Sequence, residues 1–367
     1  MNAWRWFGLS IFLIATVCLL GNTDFSAFAN GKDKTPTKTD KTDKTDKTDK
    51  TDKEKKTEAP PKQEKKEPPT PAAGAWKFKA FDTKDKKFYV VQTTKTTQDI
   101  KVMGQNVQQI QEQTFLIEWN PVDAANDYVV KQKILGVKMQ INIGGNKISY
   151  DSTAANKLKN PMTDFFEALT KQELKFTIEK DLSKVKTVDG RNDFVKNLSD
   201  INPQMKTLLE RILSDKSLSA MAEPSWSAFP PGGDGSKKEW ARSSDLDLGP
   251  IGKYSTAFTY KPKETKGAKE TIGITTKLTY TAPSDKAGLP FIIHEAKLSS
   301  ADGSGDTVFD TSLGRFESTK LTMKLTGTLK IEVGGMQTSV ELSQEQTSTS
   351  NTYDKEGLPA EWKDAVK

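Results

Sequence analysis

"LKIEVGGMQTSVELSQEQTS" occupies residues 329–348, and its rhythm decides the fold. Leu329, Ile331 and Val333 alternate with Lys330 and Glu332, two glycines follow, and the alternation resumes. Successive side chains of a strand point to opposite faces, so a period of two places one face in a core and the other in water. Gly334 and Gly335 stand where a tight hairpin needs positive φ. Leu321, Met323 and Leu325 carry the same alternation upstream. "GVKMQINIGG" (136–145), "ELKFTIEK" (173–180) and "TIGITTKLTY" (271–280) repeat it elsewhere. Clean alternation belongs to antiparallel sheet with one wet face, whereas parallel strands read as continuous apolar runs. The fold class that follows is α+β, mainly β, with large antiparallel meanders. "GGN" (144–146), "VDG" (188–190), "ADGSGD" (301–306) and "GGM" (334–336) read as turns. The Thr- and Gln-rich positions of "VVQTTKTTQ" (90–98) and "VQQIQEQT" (107–114) are expected on wet faces.

The tetrapeptide "QEQT" closes this stretch at Gln344–Thr347 and also ends "IKVMGQNVQQIQEQTF" at Gln111–Thr114. Both copies follow an apolar alternation, a Gly-containing bend and a second alternation. The pair reads either as two related β-halves, 75–155 and 240–354, or as the coincidence that biased composition makes cheap.

Between them lies a helical segment, 156–225. "NPMTDFFEALTKQ" places Asn160 at an N-cap and Pro161 at the first helical position, with Phe165, Phe166 and Leu169 on one face. "NPQMKTLLERILSDKSL" opens the same way with Asn202 and Pro203. It then sets Met205, Leu208, Leu209, Ile212 and Leu213 on a stripe.

The N-terminus differs in kind. Residues 1–29 carry Arg5, a fourteen-residue apolar stretch from Phe7 to Leu20, and "AFA" (27–29), the pattern of a cleaved secretory signal. Cys18 is the only cysteine, and Val17 before it argues against lipid anchoring there. Residues 30–74 form a linker containing five copies of Lys-Thr-Asp (Lys38–Asp52) and no large hydrophobe after Gly31. Nothing in it offsets the entropy of ordering the backbone, so it is expected to be disordered. Its reach is about 35–40 Å, enough to hold a body off a surface. Residues 75–367 then make a single β-rich body.

Charge and composition exclude several function classes. Thirteen Lys in the linker face ten acidic residues interleaved with them, and the body carries 41 Lys+Arg against 38 Asp+Glu. That is no nucleic-acid footprint, and no recognition motif accompanies it. A mature chain without cysteine has no disulfide, thiolate metal site or cysteine nucleophile. His294, in "LPFIIHEAKL", is the one histidine. It reads as a packed strand residue, because a triad needs a base oriented by a third group. Carboxylates recur, as Asp245 and Asp247 in "SSDLDLG" and Asp302 and Asp306 in "DGSGD", and the second stretch lacks calcium-loop spacing. "GGDGSKK" lacks the spacing of a phosphate loop. No catalytic residue, cofactor or metal site is assigned, and no transmembrane span is expected in the mature chain.

The meander "KKFYVVQTTKTT…QQIQEQTFLIEW", "YDS" (150–152), "LKFTIEKDLSKVKTVDG" (174–190), the Trp-bearing "KKEWARSSDLDLGPIG" around Trp240 and "KYSTAFTY" together resemble a family of exported bacterial proteins catalogued only as a domain of unknown function. The resemblance covers roughly 76–354 and departs at "FPPGGDGSKKEW" (229–240), where a few extra residues precede the Trp. It implies an exported β-rich fold and transfers no activity.

The expectation is a non-catalytic protein of the cell envelope or periplasm, binding or structural, with lipid or envelope polymer as partner. A curved sheet covered by amphipathic helices can enclose an apolar cavity. Phe165, Phe166, Leu169, Met205, Leu208 and Leu209 would then line it. The alternative is a carboxylate-dependent hydrolase of envelope polysaccharide.

Overall fold

The computed structural model describes residue 80 and residues 87–366, apart from 123–126, 156, 158–160, 285–288 and 290. The signal segment, the linker and the Asn160 cap lie outside the described residues.

Twelve strands form one antiparallel sheet: β1 (Phe88–Val102), β2 (Gln105–Val122), β3 (Asp127–Ile143), β4 (Asn146–Asp151), β5 (Glu173–Glu179), β6 (Val185–Asp189), β7 (Trp240–Asp247), β8 (Lys253–Lys266), β9 (Lys269–Thr281), β10 (Ile292–Asp310), β11 (Arg315–Val333) and β12 (Met336–Tyr353). Their spatial order is β6-β5-β3-β2-β1-β12-β11-β10-β9-β8-β7, with β4 also on β3. Each half is a meander, and β1 pairing with β12 joins them (Gln92↔Ser350, Gln98↔Gln344). The expected mainly-β α+β fold with large antiparallel meanders is thus what the chain forms, in one continuous sheet.

Local differences from the sequence reading have physical reasons. "ADGSGD" is no turn: it lies inside β10, where the ladder shifts between Ala301 and Ser304. A Cβ at Gly303 or Gly305 would overlap neighbouring strands, so the glycines serve close approach. Among its described residues the segment 156–225 holds four α-helices, α1 (Pro161–Leu169), α2 (Arg191–Ile201), α3 (Lys206–Ile212) and α4 (Asp215–Ala222), and also the pair β5–β6. The single stripe from 203 onward breaks at Ser214, whose hydroxyl accepts the Ser217 N–H at 3.2 Å and starts α4 afresh.

The sheet is curled. Helix α4 packs against β6 and β7, the two ends of the strand order. Ser217 Oγ donates to the Asp247 carbonyl at 2.7 Å, and Ser244 Oγ donates to the Ala220 carbonyl at 3.2 Å. Beyond α4 the chain turns inward. Trp226 meets Trp119 edge-on at 6.5 Å between ring centroids, Phe229 meets Phe309 and Phe316, and Ser227 hydrogen-bonds Tyr260 at 2.6 Å. Segment 223–230 is therefore a plug spanning inner-face residues of β2, β8, β10 and β11.

A second, smaller core lies on the outer face. Tyr89 and Leu116 are covered by the C-terminal residues Leu358, Trp362 and Val366. Gly136 lies directly beneath Trp362, where a Cβ would overlap the indole. Lys138 Nζ sits 4.8 Å from the ring centroid.

Candidate functional site

The inner face of the central strands overturns one expectation. Gln92, Thr94, Thr96 and Gln98 of β1 and Gln109, Gln111 and Gln113 of β2 are buried, as are Gln344, Gln346, Ser348 and Ser350 of β12. Alternation is kept, but the face that goes inward here is polar. Curling is the reason: the inward positions begin with Phe88 and Val90 and stay inward by parity after the residue type changes.

Strand register arranges these residues in rungs. Gln109, Gln98 and Gln344 form one, Gln111, Thr96 and Gln346 the next, and Gln113, Thr94 and Ser348 a third. On the fourth, Phe115 stands beside Gln92 and Ser350. The two "QEQT" segments thus flank β1 on neighbouring strands, offset by two residues, and contribute Gln111, Gln113, Gln344 and Gln346 to this lane. Ile143, Ile141 and Met139 of β3 bank it on one side, and Leu325, Met323 and Leu321 of β11 on the other. With two residues between rungs, the lane is about 20 Å long and about 10 Å wide. No charged residue stands on these inward rungs.

Hydrogen bonding in the lane is incomplete. Gln98 Nε2 donates to Gln344 Oε1 at 2.5 Å, and Thr94 and Ser348 hydroxyls lie 3.3 Å apart. Gln113 Nε2 reaches only the Met139 sulfur, at 3.8 Å. Gln92 Nε2, Gln109 Nε2, Gln111 Oε1 and Gln113 Oε1 are buried with no partner, as are Thr256 Oγ1 and Thr276 Oγ1. A buried polar atom left unpaired costs about 1–3 kcal/mol. Such a cluster needs a resident partner, whether water or ligand.

Where the lane turns apolar, Phe88 and Trp119 stack at 5.7 Å under the plug, and Trp226 Nε1 and Trp119 Nε1 are also unpaired. A void of about 10 Å³ there, lined by Phe88, Trp119, Trp226, Phe229 and Phe316 among others, holds at most one water. Glu223 begins the plug. Burial raises its carboxyl above the usual glutamate range, against a Val185 backbone hydrogen bond and Lys184, which lower it.

The residues singled out from sequence are scattered. Phe166, Leu169, Leu208 and Leu209 are buried in the main core, with Phe165 and Met205 half-buried against it. Phe166 stacks on Tyr150 at 4.9 Å. Burial, with the nearby Glu167 and Asp151 charges, pushes the Tyr150 phenol up to about 12. These six residues line neither of the two cavities described here. His294 is not packed in an apolar strand but half-buried, with Nε2 2.7 Å from Glu332 Oε2. Asp245 points outward and pairs with Lys253.

A larger surface pocket of about 410 Å³ is lined by Asp310, Arg315, Glu317, Asp354, Glu356 and neighbours. Arg315 donates to Asp354 at 2.9 Å, and Lys269 donates to Glu317 at 2.6 Å. Burial alone would raise the Asp310 carboxyl. Hydrogen bonds from Ser312 and Leu313, aided by Lys269, outweigh it and hold Asp310 below the usual carboxylate range. The Arg315–Asp354 pair clasps the β10–β11 turn to the end of β12. Among the described residues no group of three His, Cys, Asp or Glu side chains could hold a metal.

Residues 125–307 match DUF6263, a family of unknown function. The matched segment is narrower than the span read from sequence. It runs from the start of β3 into β10, takes in α1–α4 and the plug, and leaves out β1, β2, β11 and β12. No curated protein matches the chain. Similar solved structures include lipovitellin with its lipid–protein interactions, at 11% identity and a TM-score of 0.41 over 77% of this chain and 26% of that one. They also include the Pseudomonas aeruginosa protein OccK5, at 8% identity and 0.21 over 75% and 99%. An outer membrane channel of Pseudomonas putida F1 matches at 5% and 0.25 over 76% and 98%. The chain thus spans about a quarter of the lipovitellin chain. None of these scores reaches 0.5, so the fold rests on this chain's own strand register. No helix among the described residues is long and apolar enough to cross a membrane.

Proposed function

We propose that this chain is an exported, non-catalytic binding protein of the cell envelope whose ligand occupies the inner face of the curled sheet. The observation that carries the reading is the buried neutral lane of β2, β1 and β12 with its unpaired amide atoms. A protein gains no stability from burying unpaired Gln amides where Leu or Val would fit. It tolerates them where a ligand supplies the missing partners. The aliphatic banks of β3 and β11 supply the apolar contact that fixes a lipid or other hydrophobic ligand. The plug 223–230 lies over the apolar end of the same face, at Phe88 and Trp119, and loading is assigned to its withdrawal. Its nearby backbone is permissive: Gly232 and Gly233 adopt φ of 71° and 69°, and a Cβ at Gly232 would meet nothing.

Native mass spectrometry of the protein purified from its own envelope fraction, before and after solvent extraction, tests this. The expected result is a discrete bound mass that extraction removes. A bare polypeptide in both preparations would overturn the reading and leave a structural role.

A further inference from the structure

We infer that the lane selects an uncharged amphiphile bearing hydroxyl groups, of the acylglycerol kind, and rejects ligands that bring a net charge to it. This rests on the reading of the inner face as a binding site and adds the chemistry of what it takes.

Three features of the lane lead there. The first is neutrality. Its eleven buried polar residues are all Gln, Thr or Ser, and no lysine, arginine or histidine stands on the inward rungs to meet an anion, nor a carboxylate to meet a cation. An ionised head drawn among these rungs loses its hydration and finds no countercharge on them, a cost far above that of a neutral polar group. The buried Arg315 guanidinium lies beyond their apolar end, 5.3 Å from the Phe88 ring, and is already bonded to Asp354.

The second is the mixture of unmet needs. Gln92 Nε2 and Gln109 Nε2 are donors without acceptors, and Gln111 Oε1 and Gln113 Oε1 are acceptors without donors. An ether or ester oxygen satisfies donors only, and an ammonium satisfies acceptors only. A hydroxyl does both. Rotating a Gln amide exchanges its two atoms and so changes which partner that amide wants, and a hydroxyl serves either arrangement. Water has the same capacity, and a ligand hydroxyl takes over the hydrogen bonds of the water it displaces.

The third is the setting. On both sides the rungs pass straight from amides to aliphatics, with Ile141 and Met139 on one bank and Met323 and Leu321 on the other. Toward the plug the same face becomes Val90, Ile117, Phe88 and Trp119. A molecule lying along it meets polar groups over part of its length and hydrocarbon beyond, which is the order of a glycerol head and its acyl chain. A purely polar sugar chain would leave the banks without partners.

The probes are 1-monooleoylglycerol and oleate, which share one chain and differ in the charge of the head. They are titrated at pH 8 into the delipidated protein and followed by tryptophan fluorescence, to which Trp119 and Trp226 report. The neutral probe is expected to bind at least tenfold tighter. In Gln111→Met/Gln113→Met that preference should fall to within about threefold, with Gln92→Leu as a second, milder variant and thermal melts confirming that both fold. Oleate binding as tightly as the neutral probe would overturn the inference, as would variants that keep the full preference. If neither probe binds, the mass of the native ligand decides: a neutral hydroxylated lipid upholds the inference, and a charged one overturns it while leaving the binding reading intact. Absence of any native ligand removes both.

Discussion

The inside and the outside of β2, β1 and β12 are built from the same few residue types and end in opposite states. Outside, polar groups meet partners across the ladder. Lys95 pairs with Glu112 at 2.9 Å, Lys101 with Glu341 at 3.2 Å and Lys324 with Glu345 at 2.8 Å, while Thr93 meets Thr114 and Thr322 meets Thr347, both at 3.0 Å. Inside, one residue along in each strand, charge disappears and four Gln amide atoms have no partner. Water solvates whatever the outer pairs leave over, so those pairs matter little. The lane is shielded from bulk water, so every unmet group there carries its full desolvation cost.

The largest effects should come where each face is covered by an indole. Trp226→Ala, inside, and Trp362→Ala, outside, each remove a fully buried side chain, and each should lower the unfolding free energy by about 3–5 kcal/mol in urea. Gly136→Val should approach the outer value, because its side chain needs the space that Trp362 fills. Ligand binding separates the two. Trp362→Ala should leave the affinity of the folded protein intact, whereas Trp226→Ala, which loosens the plug, should speed ligand entry measured by stopped flow. Equal effects on binding would break the distinction between a functional inside and a structural outside.

Next in size are the lane amides, for which the expected sign is unusual. Gln111→Leu removes a buried unpaired carbonyl oxygen, so the ligand-free protein should keep its stability or gain about 1 kcal/mol. A loss of 2 kcal/mol or more would mean that the amide holds the sheet together and that the lane is structural. Glu223 sharpens the same contrast at the plug. Its carboxyl is raised by burial, so the native state holds this proton more tightly than the unfolded chain does. The group's contribution to stability therefore falls as pH rises from the ordinary glutamate range through its native value. Glu223→Gln should stabilise the protein at neutral pH, and thermal melts should show that gain shrinking as pH approaches 4.5.

Much of this was legible in the sequence, because period-two alternation survives any change of residue type. Strand positions around Val137, Phe176, Ile274 and Leu329 and the Gly144 and Gly334 turns follow from local rules alone. The lane did not. Sequence reading treats Thr and Gln as wet, and the burial of Gln92, Thr94, Thr96 and Gln98 depends on the curl of a sheet whose ends, 185–189 and 240–247, are brought to one helix. Parity held the missing signal. Gln92 shares the face of Phe88 and Val90, and Gln113 that of Phe115 and Trp119, so following the apolar face onward would have carried both inward. "ADGSGD" misled for a related reason. Glycines that suit a turn also suit a strand whose neighbours come close, and only the pairing of β10 with β9 and β11 distinguishes the two.

The smallest expected effect is on the outer ladder, and its smallness is what makes it useful. Lys324 and Glu345 face each other across β11 and β12, with side chains 58% and 51% exposed. Coulomb attraction at that exposure is offset by hydration and by the entropy of holding two long side chains. A double-mutant cycle with Lys324→Ala and Glu345→Ala should give a coupling of about 0.2–1 kcal/mol that shrinks further in 1 M salt. Gln98 and Gln344 bond across the neighbouring β1–β12 pair on the inner face at 2.5 Å. The same cycle there should give a coupling that salt does not touch, since neither partner is charged. A Gln98–Gln344 coupling as small as that of the exposed ion pair would mean that bulk water reaches the lane, and the argument that its unmet amides await a ligand would lose its footing.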